Sequence, residues 1–303
     1  MPYPFRCAFA GLLLCLASCA AADDAPAYRL DPSFPQLPAG VKLGAGAGVA
    51  TDSKGNVFVF HRAEPPILVF SPTGQFLRSF GENLFKSAHG MRIDSGDNLW
   101  VTDNADHTVM RFDPAGKLTL TLGEKGKPGE DATHFNKPTD VTVAKNGDFF
   151  VADGYGNSRI VKFDKTGKFL MTWGKKGKGE SQFNLPHAVR LDSEGLLYVG
   201  DRENRRIQVF KQDGTFIRQF AGMSPYGLFI TPEDSLFVAD GRANKIVKLT
   251  PEGKVLTSWG IEGSKPGDFH LPHGITVAAD GAVYVTEVDG KRVQKFVPVP
   301  PQK

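Results

Sequence analysis

Three histidines stand in related settings: His89 in Ser87-Ala88-His89-Gly90, His187 in Leu185-Pro186-His187-Ala188 and His273 in Leu271-Pro272-His273-Gly274. Each immediately precedes a strand-like run. A neutral imidazole offers one lone pair to a metal, and three that converge with one position left open form the donor set of a catalytic zinc-type site. A closed structural site would need a fourth protein ligand. One histidine alone at such a place is better explained by local hydrogen bonding, so the chemistry depends on whether the fold brings the three together. Cationic and phenolic groups recur nearby in sequence: Arg62 follows His61, Arg202 follows Asp201, and Tyr155 lies two residues past Asp153. Arginine stays charged and grips a carboxylate in bidentate fashion, and a phenol beside a metal and a guanidinium can serve as a base.

The elements that must position these residues are read from an internal repeat. Runs rich in β-branched and aromatic residues end on an acid: Leu99-Trp100-Val101-Thr102-Asp103, Phe149-Phe150-Val151-Ala152-Asp153, Leu197-Tyr198-Val199-Gly200-Asp201, Leu236-Phe237-Val238-Ala239-Asp240 and Val283-Tyr284-Val285-Thr286-Glu287. Val57-Phe58-Val59-Phe60-His61 holds the same place in the first unit, and the spacings between these anchors are 42, 50, 48, 39 and 47 residues. Each unit reads as four short strands separated by Gly-, Asp- and Asn-containing turns, which are hairpin signals. Helical periodicity is absent. Six units of four strands predict an all-β, six-bladed β-propeller over residues 41–298. The last unit ends early at Pro298, so its missing strand is expected from Tyr28-Arg29-Leu30, closing the ring and hiding an exposed edge.

Innermost strands of a propeller surround a central channel. The ring position just before each first strand holds Ala47, His89, Thr139, His187, Tyr226 and His273. The histidines fall in units two, four and six, about 120° apart in a six-bladed ring, and this threefold placement predicts a metal tripod. Units one and four lie opposite each other, so Arg62 and Arg202 are expected to face one mouth of the channel, with Tyr155 on the same rim. His61, His107, His134 and His270 fall outside the ring and are read as surface or loop residues, His270 being near the channel mouth.

These motifs carry a resemblance. The loops Gly174–Pro186 and Gly260–Pro272 and the Asp-x-x-x-Asn pattern at Asp153 resemble NHL repeats. Together with Phe60-His61-Arg62, Asp153-Gly154-Tyr155, Asp201-Arg202 and the three histidine motifs, the stretch from about Tyr28 to Phe296 resembles peptidyl-α-hydroxyglycine α-amidating lyase. The resemblance implies one Zn2+ held by His89, His187 and His273, Tyr155 as catalytic base, and Arg62 and Arg202 on the substrate. It implies cleavage of the C–N bond of an N-acyl or peptidyl α-hydroxyglycine to an amide and glyoxylate. The substrate partner would be a small molecule or peptide with such a carboxylate. Family members commonly carry an Asp after the third histidine that helps hold a structural Ca2+. Gly274 stands there, which leaves that calcium without its acidic ligand. Leu271 replaces a family Met, and Gly156 stands where some animal members have a stapling cysteine. The alternative is a non-catalytic NHL propeller acting as an envelope binding or scaffold protein. Lactonase-type propellers commonly use acidic metal ligands, which this ring position lacks.

Composition narrows the setting. Of 303 residues, 36 are Lys or Arg and 33 are Asp or Glu, and the resulting charge of +3 is dispersed, so no nucleic-acid partner is expected. Residues 1–19 combine Arg6 with a short apolar run that suits a signal segment and is too short for a membrane helix. Leu16-Ala17-Ser18-Cys19 resembles a bacterial lipobox, with Cys19 lipidated; ordinary cleavage near Ala20-Ala21-Ala22 is the alternative. The expectation is an exported, periplasmic or outer-membrane-anchored monomer that touches membrane through its N-terminal lipid alone. Residues 20–40 would be a tether and lead-in strand, and 299–303 a tail. Cys7, Cys15 and Cys19 are the only cysteines, so the mature domain has no internal disulfide or thiolate site.

Overall fold

The computed structural model describes Met1 and residues 27–300. The expected signal segment, Cys19, the first part of the tether and the last three residues lie outside the described residues.

The described chain folds into six four-stranded antiparallel sheets, five of them formed from consecutive strands. The sixth contains Pro272–Val277, Val283–Glu287 and Arg292–Pro298. Its outer strand is Tyr28–Asp31, paired antiparallel with Leu30 opposite Phe296. The expected closure is therefore formed: Tyr28 stacks on Trp259 of blade 5 at 4.4 Å between ring centroids and meets Phe237 edge-on. No α-helix occurs among the described residues; one short 3-10 turn covers Gly241–Ala243.

Local chemistry explains the strands. The second strand of every blade is buried at all five positions, as in Phe149–Asp153, because it is sandwiched between the neighbouring blades. Outer strands such as Phe216–Ala221 alternate half-buried and exposed, the period-2 pattern of a sheet with one wet face. Many of the hairpin turns are pinned by an aspartate that accepts backbone N–H groups ahead of a residue with positive φ. Asp164 takes the N–H groups of Thr166 and Lys168, with Gly167 at φ 92°.

The core is divided among the blade interfaces. Six apolar clusters are present, one at each junction of adjacent blades. At the 6–1 junction, Phe34, Val49, Phe70 and Tyr284 pack together, so the segment that follows the first strand also seals the ring. Nearest-neighbour burial of this kind lets a chain this long fold without one large core.

The buried anchor acids tie the blades to the channel. Asp201 accepts the N–H of Asn184 at 2.7 Å, Asp103 those of Lys86 and Ser87 at 2.6 and 3.1 Å, and Glu287 that of His270 at 2.7 Å. Each clamp grips the chain two or three residues before a ring histidine. In blade 1 His61 replaces the acid, its Nδ1 accepting the Gly44 N–H at 3.0 Å. His61 therefore differs from expectation, and His107 keeps its expected loop place but is buried. His61 is fully buried, and His107 is 8% exposed, with its Nδ1 accepting the Lys137 N–H at 3.0 Å. Both brace loops from inside, and neither is a surface group. His134 lies against Asp131, and His270 is near Asp289, as loop residues.

Candidate functional site

The ring residues lie one step further into the fold than expected. Each is the second residue of its inner strand, as His89 is in Ala88–Ile93, His187 in Pro186–Leu191 and His273 in Pro272–Val277. The ladder shifts register at each of these points. The resulting bulge turns the ring side chain toward the axis. Leu185 (φ 69°) and Leu271 (φ 59°) precede the prolines in the left-handed region, a costly conformation for such residues and one that clusters at functional sites.

The three imidazoles meet. Their centroids are 4.7, 4.9 and 4.9 Å apart, a nearly equilateral triangle, and their ligand atoms lie within 4.8 Å of one another. Each is at most 5% exposed. Their tautomers are fixed by the neighbouring blade. The Nδ1–H of His89 donates to Thr139 O at 2.7 Å, that of His187 to Tyr226 O at 2.7 Å and that of His273 to Ala47 O at 2.6 Å. The three Nε2 lone pairs are thereby left to point at a common centre, as outer-shell carbonyls do for metal-ligating histidines. Burial, followed by the charges of neighbouring groups, holds His89 and His187 well below the usual imidazole range, and burial followed by Arg62 holds His273 at about 3. All three are neutral at physiological pH. A buried triangle of neutral nitrogen donors with preset tautomers fits one transition-metal ion with an open position.

The alternate ring residues Ala47, Thr139 and Tyr226 were not expected to act. They contribute carbonyl oxygens, and their unrelated side chains gave no sequence signal of it. Tyr226 contributes further: the Arg202 guanidinium lies 4.6 Å from its ring centroid, a cation–π platform.

Tyr155 comes from the loop after Asp153, over the tripod. Its hydroxyl is 3.2 Å from His89 Nε2, 3.3 Å from His187 Nε2 and 3.2 Å from Arg202 Nη1. The residue is 37% exposed, so it lies at the mouth. Gly154 permits this placement, because a Cβ there would collide with the Pro186 carbonyl oxygen. Arg202 also donates from Nε to Glu203 at 2.9 Å, and Glu203 in turn pairs with Arg242. Arg62 donates from Nε to the Ala88 carbonyl at 3.0 Å, one residue before His89. The charges of both arginines act on His89 and His273. The structure thus brings together all six site residues expected within the propeller, with Arg202 in contact with Tyr155 and Arg62 held beside the first histidine.

The residues present do not fit a structural calcium beside the third histidine. A Cβ on Gly274 would lie 2.6 Å from Thr286 Oγ1 and 2.8 Å from Gly48 Cα, leaving no room for a carboxylate arm. The carboxylate in this part of the channel is that of Asp140, which is engaged by Arg190.

A closed six-bladed propeller with a histidine tripod under a tyrosine–arginine mouth defines the class. The NHL repeat family matches residues 135–163, 183–210 and 269–296. The chain is 31% identical to the "Probable peptidyl-alpha-hydroxyglycine alpha-amidating lyase pgal-1" of Caenorhabditis elegans, covering 83% of this chain and 82% of that one. It is 36% identical to the "Peptidyl-glycine alpha-amidating monooxygenase B" of Xenopus laevis over 85% of this chain, spanning only 34% of that longer protein. It is 35% identical to the human "NHL repeat-containing protein 3", covering 90% and 84% of the two chains. The chain belongs to the peptidyl-α-hydroxyglycine α-amidating lyase family of NHL-repeat propellers.

Proposed function

We propose that this protein is a zinc-dependent carbon–nitrogen lyase that cleaves N-acyl or peptidyl α-hydroxyglycine-type substrates into a primary amide and glyoxylate. The observation that carries the reading is the Tyr155 hydroxyl placed within 3.3 Å of two tripod nitrogens and of Arg202. A non-catalytic propeller has no need to bury three unprotonated imidazole nitrogens under a phenol.

The residues divide the work. His89, His187 and His273 would hold the zinc, which when bound supplies Lewis-acid polarisation of substrate oxygen. Arg62 has its Nε committed to Ala88, which leaves its two terminal nitrogens for bidentate capture of the substrate carboxylate. Arg202, fixed by Glu203 and the Tyr226 ring, orients the Tyr155 oxygen and stabilises the negative charge it carries as the base. Tyr155 acts as base on the substrate hydroxyl: the O–H bond breaks, its electrons form the aldehyde carbonyl, and the C–N bond breaks. The C–N electron pair leaves with nitrogen, which takes up the proton that Tyr155 removed, giving the primary amide and returning Tyr155 to its starting state.

The Leu16–Cys19 motif supports export, with the propeller carried in the cell envelope on a lipidated Cys19, and the small closed ring is consistent with a monomer. Incubation with N-benzoyl-α-hydroxyglycine tests the reaction: benzamide and glyoxylate should form in equal amounts. The similarity to human NHL repeat-containing protein 3 favours a second reading, an envelope binding propeller. A purified protein that carries no tightly bound metal and releases no glyoxylate would support that reading over the lyase.

A further inference from the structure

The channel continues beyond the histidines. Three positions past the ring, the inner strands carry Ala50, Arg92, Thr142, Arg190, Phe229 and Thr276. Arg92 and Arg190, from blades 2 and 4, flank blade 3, which supplies Asp140 just after its ring residue. All three are buried: Arg92 is 8% exposed, Arg190 7% and Asp140 5%. Asp140 Oδ2 accepts Arg190 Nη1 at 2.5 Å and the Val189 N–H at 3.1 Å, while Arg92 Nη2 stands off at 3.9 Å, beyond hydrogen-bond reach. Burial raises the Asp140 carboxyl to about 6, against the pull of Arg92, so it is ionised at neutral pH. One carboxylate thus faces two buried guanidiniums.

The hydrogen bonding is as unbalanced as the charge. Nε of Arg92, Nε of Arg190 and Oδ1 of Asp140 have no partner among the described residues. Buried groups of this kind are normally satisfied by protein, water or ligand. The space between this layer and the tripod is about 20 Å³, room for one water, which can serve Oδ1. On the other side the two arginines line a cavity of about 230 Å³ with Thr142, Lys145 and Phe229. Tyr155, Arg62 and Arg202 take no part in it. Lys145 sits at its rim and donates to Ser193 O. Asp94, also on the rim, has its oxygens occupied by Asn98 and Trp100. Three cations against two carboxylates leave the pocket one positive charge in excess.

We propose that Arg92 and Arg190 form a second binding site, opening on the face of the propeller opposite the tripod mouth, for a small oxyanion of carboxylate or phosphate type. The ligand pairs with the guanidinium nitrogens that reach the cavity, offsets the excess charge, and ties blades 2, 3 and 4 together below the tripod. Guanidinium pairs recognise such groups by parallel N–H···O bonds. The site is independent of the lyase reading, since none of the residues assigned to that chemistry lines it.

Calorimetric titration of the metal-loaded full chain with sodium phosphate, and separately with sodium acetate, at fixed ionic strength tests the site. One saturable equivalent is expected for at least one anion, and which one binds distinguishes phosphate from carboxylate ligands. Arg92→Met should weaken that binding at least about tenfold, while Arg202→Met, at the opposite mouth, leaves it unchanged. Binding of neither anion tighter than about 10 mM, or undiminished binding by Arg92→Met, overturns the proposal. Because Arg92→Met could disturb folding, wild-type crystals soaked in selenate give a second readout. A selenium anomalous peak between Arg92 and Arg190 supports the site; a peak at the tripod mouth alone, or none, contradicts it.

Discussion

At the scale of single residues, the site is a set of imposed protonation and orientation states. Three carbonyl oxygens from the neighbouring blades fix which imidazole nitrogen carries hydrogen, and burial keeps the imidazoles neutral. Tyr155→Phe keeps the ring and the tripod but removes the oxygen proposed to take the proton. Its kcat is expected to fall about 10²–10⁴-fold with metal content unchanged in the same preparation; full turnover by this variant would rule out Tyr155 as the base. Arg202→Lys should also lose rate, because a point charge cannot reproduce the contacts to Glu203, Tyr155 and the Tyr226 ring together. The histidines were legible in the sequence because a rare residue type recurs in alternate repeats. Tyr226, Thr139 and Ala47 were not, because their contribution is a backbone carbonyl that any residue could supply. His61 is a buried strand residue and His107 a buried loop residue: sequence spacing showed that they miss the ring, but not that each accepts a backbone N–H from inside.

At the scale of elements, the anchor acid of each blade governs where its inner strand enters the channel. Asp201 is wholly buried and binds the Asn184 N–H, Asn204 and Arg206, so it fixes both the approach to His187 and the turn that follows it. Asp201→Ala leaves the Arg206 charge buried without its partner, and a loss of about 3–5 kcal/mol is expected in denaturant unfolding. Zinc affinity should fall with it, since His187 would lose its approach; a variant with unchanged stability and metal binding would show the clamp to be incidental. Blade 1 makes the same clamp with His61, whose imidazole is held at about 4 by burial. In the metal-free chain this contribution is intact above the unfolded imidazole pKa of about 6.5 and is lost as pH falls toward 4, because the unfolded state takes up a proton that the folded state refuses. Unfolding midpoints measured across that window should drop more steeply for the wild type than for His61→Asn. The repeat and its anchors were plain in the sequence, since alternation and turn residues are local signals. The bulge that makes the ring residue the second of its strand was not, because a one-residue shift in pairing leaves no mark on composition.

At the scale of the molecule, convergence of distant residues depends on a closed ring. His89 and His273 are 184 residues apart in sequence, and they touch because Tyr28–Asp31 completes blade 6 and Phe34 seals it against blade 1. Removing residues up to Gly40 exposes the edge of Arg292–Pro298 and takes Tyr28 off Trp259. The lost burial of Tyr28, Leu30 and Phe34 is worth about 4–6 kcal/mol, and Tm should fall by about 10 °C or more. A truncated chain that melts with the mature protein would show that the ring closes without this strand. Closure was legible because three strands in the last repeat demand a fourth; the buried Arg92–Asp140–Arg190 layer was not, because charged residues on an inner strand carry no sign of how deep in the channel they lie.

The central claim is that the tripod holds the metal on which cleavage depends. Metal-stripped protein, titrated with zinc while glyoxylate release from N-benzoyl-α-hydroxyglycine is followed, tests it directly. Negligible release is expected without metal, with a rate that rises linearly to a plateau at one equivalent and no such rise in His187→Ala. Equal rates with and without zinc, or a fully loaded protein that releases no glyoxylate, would contradict it.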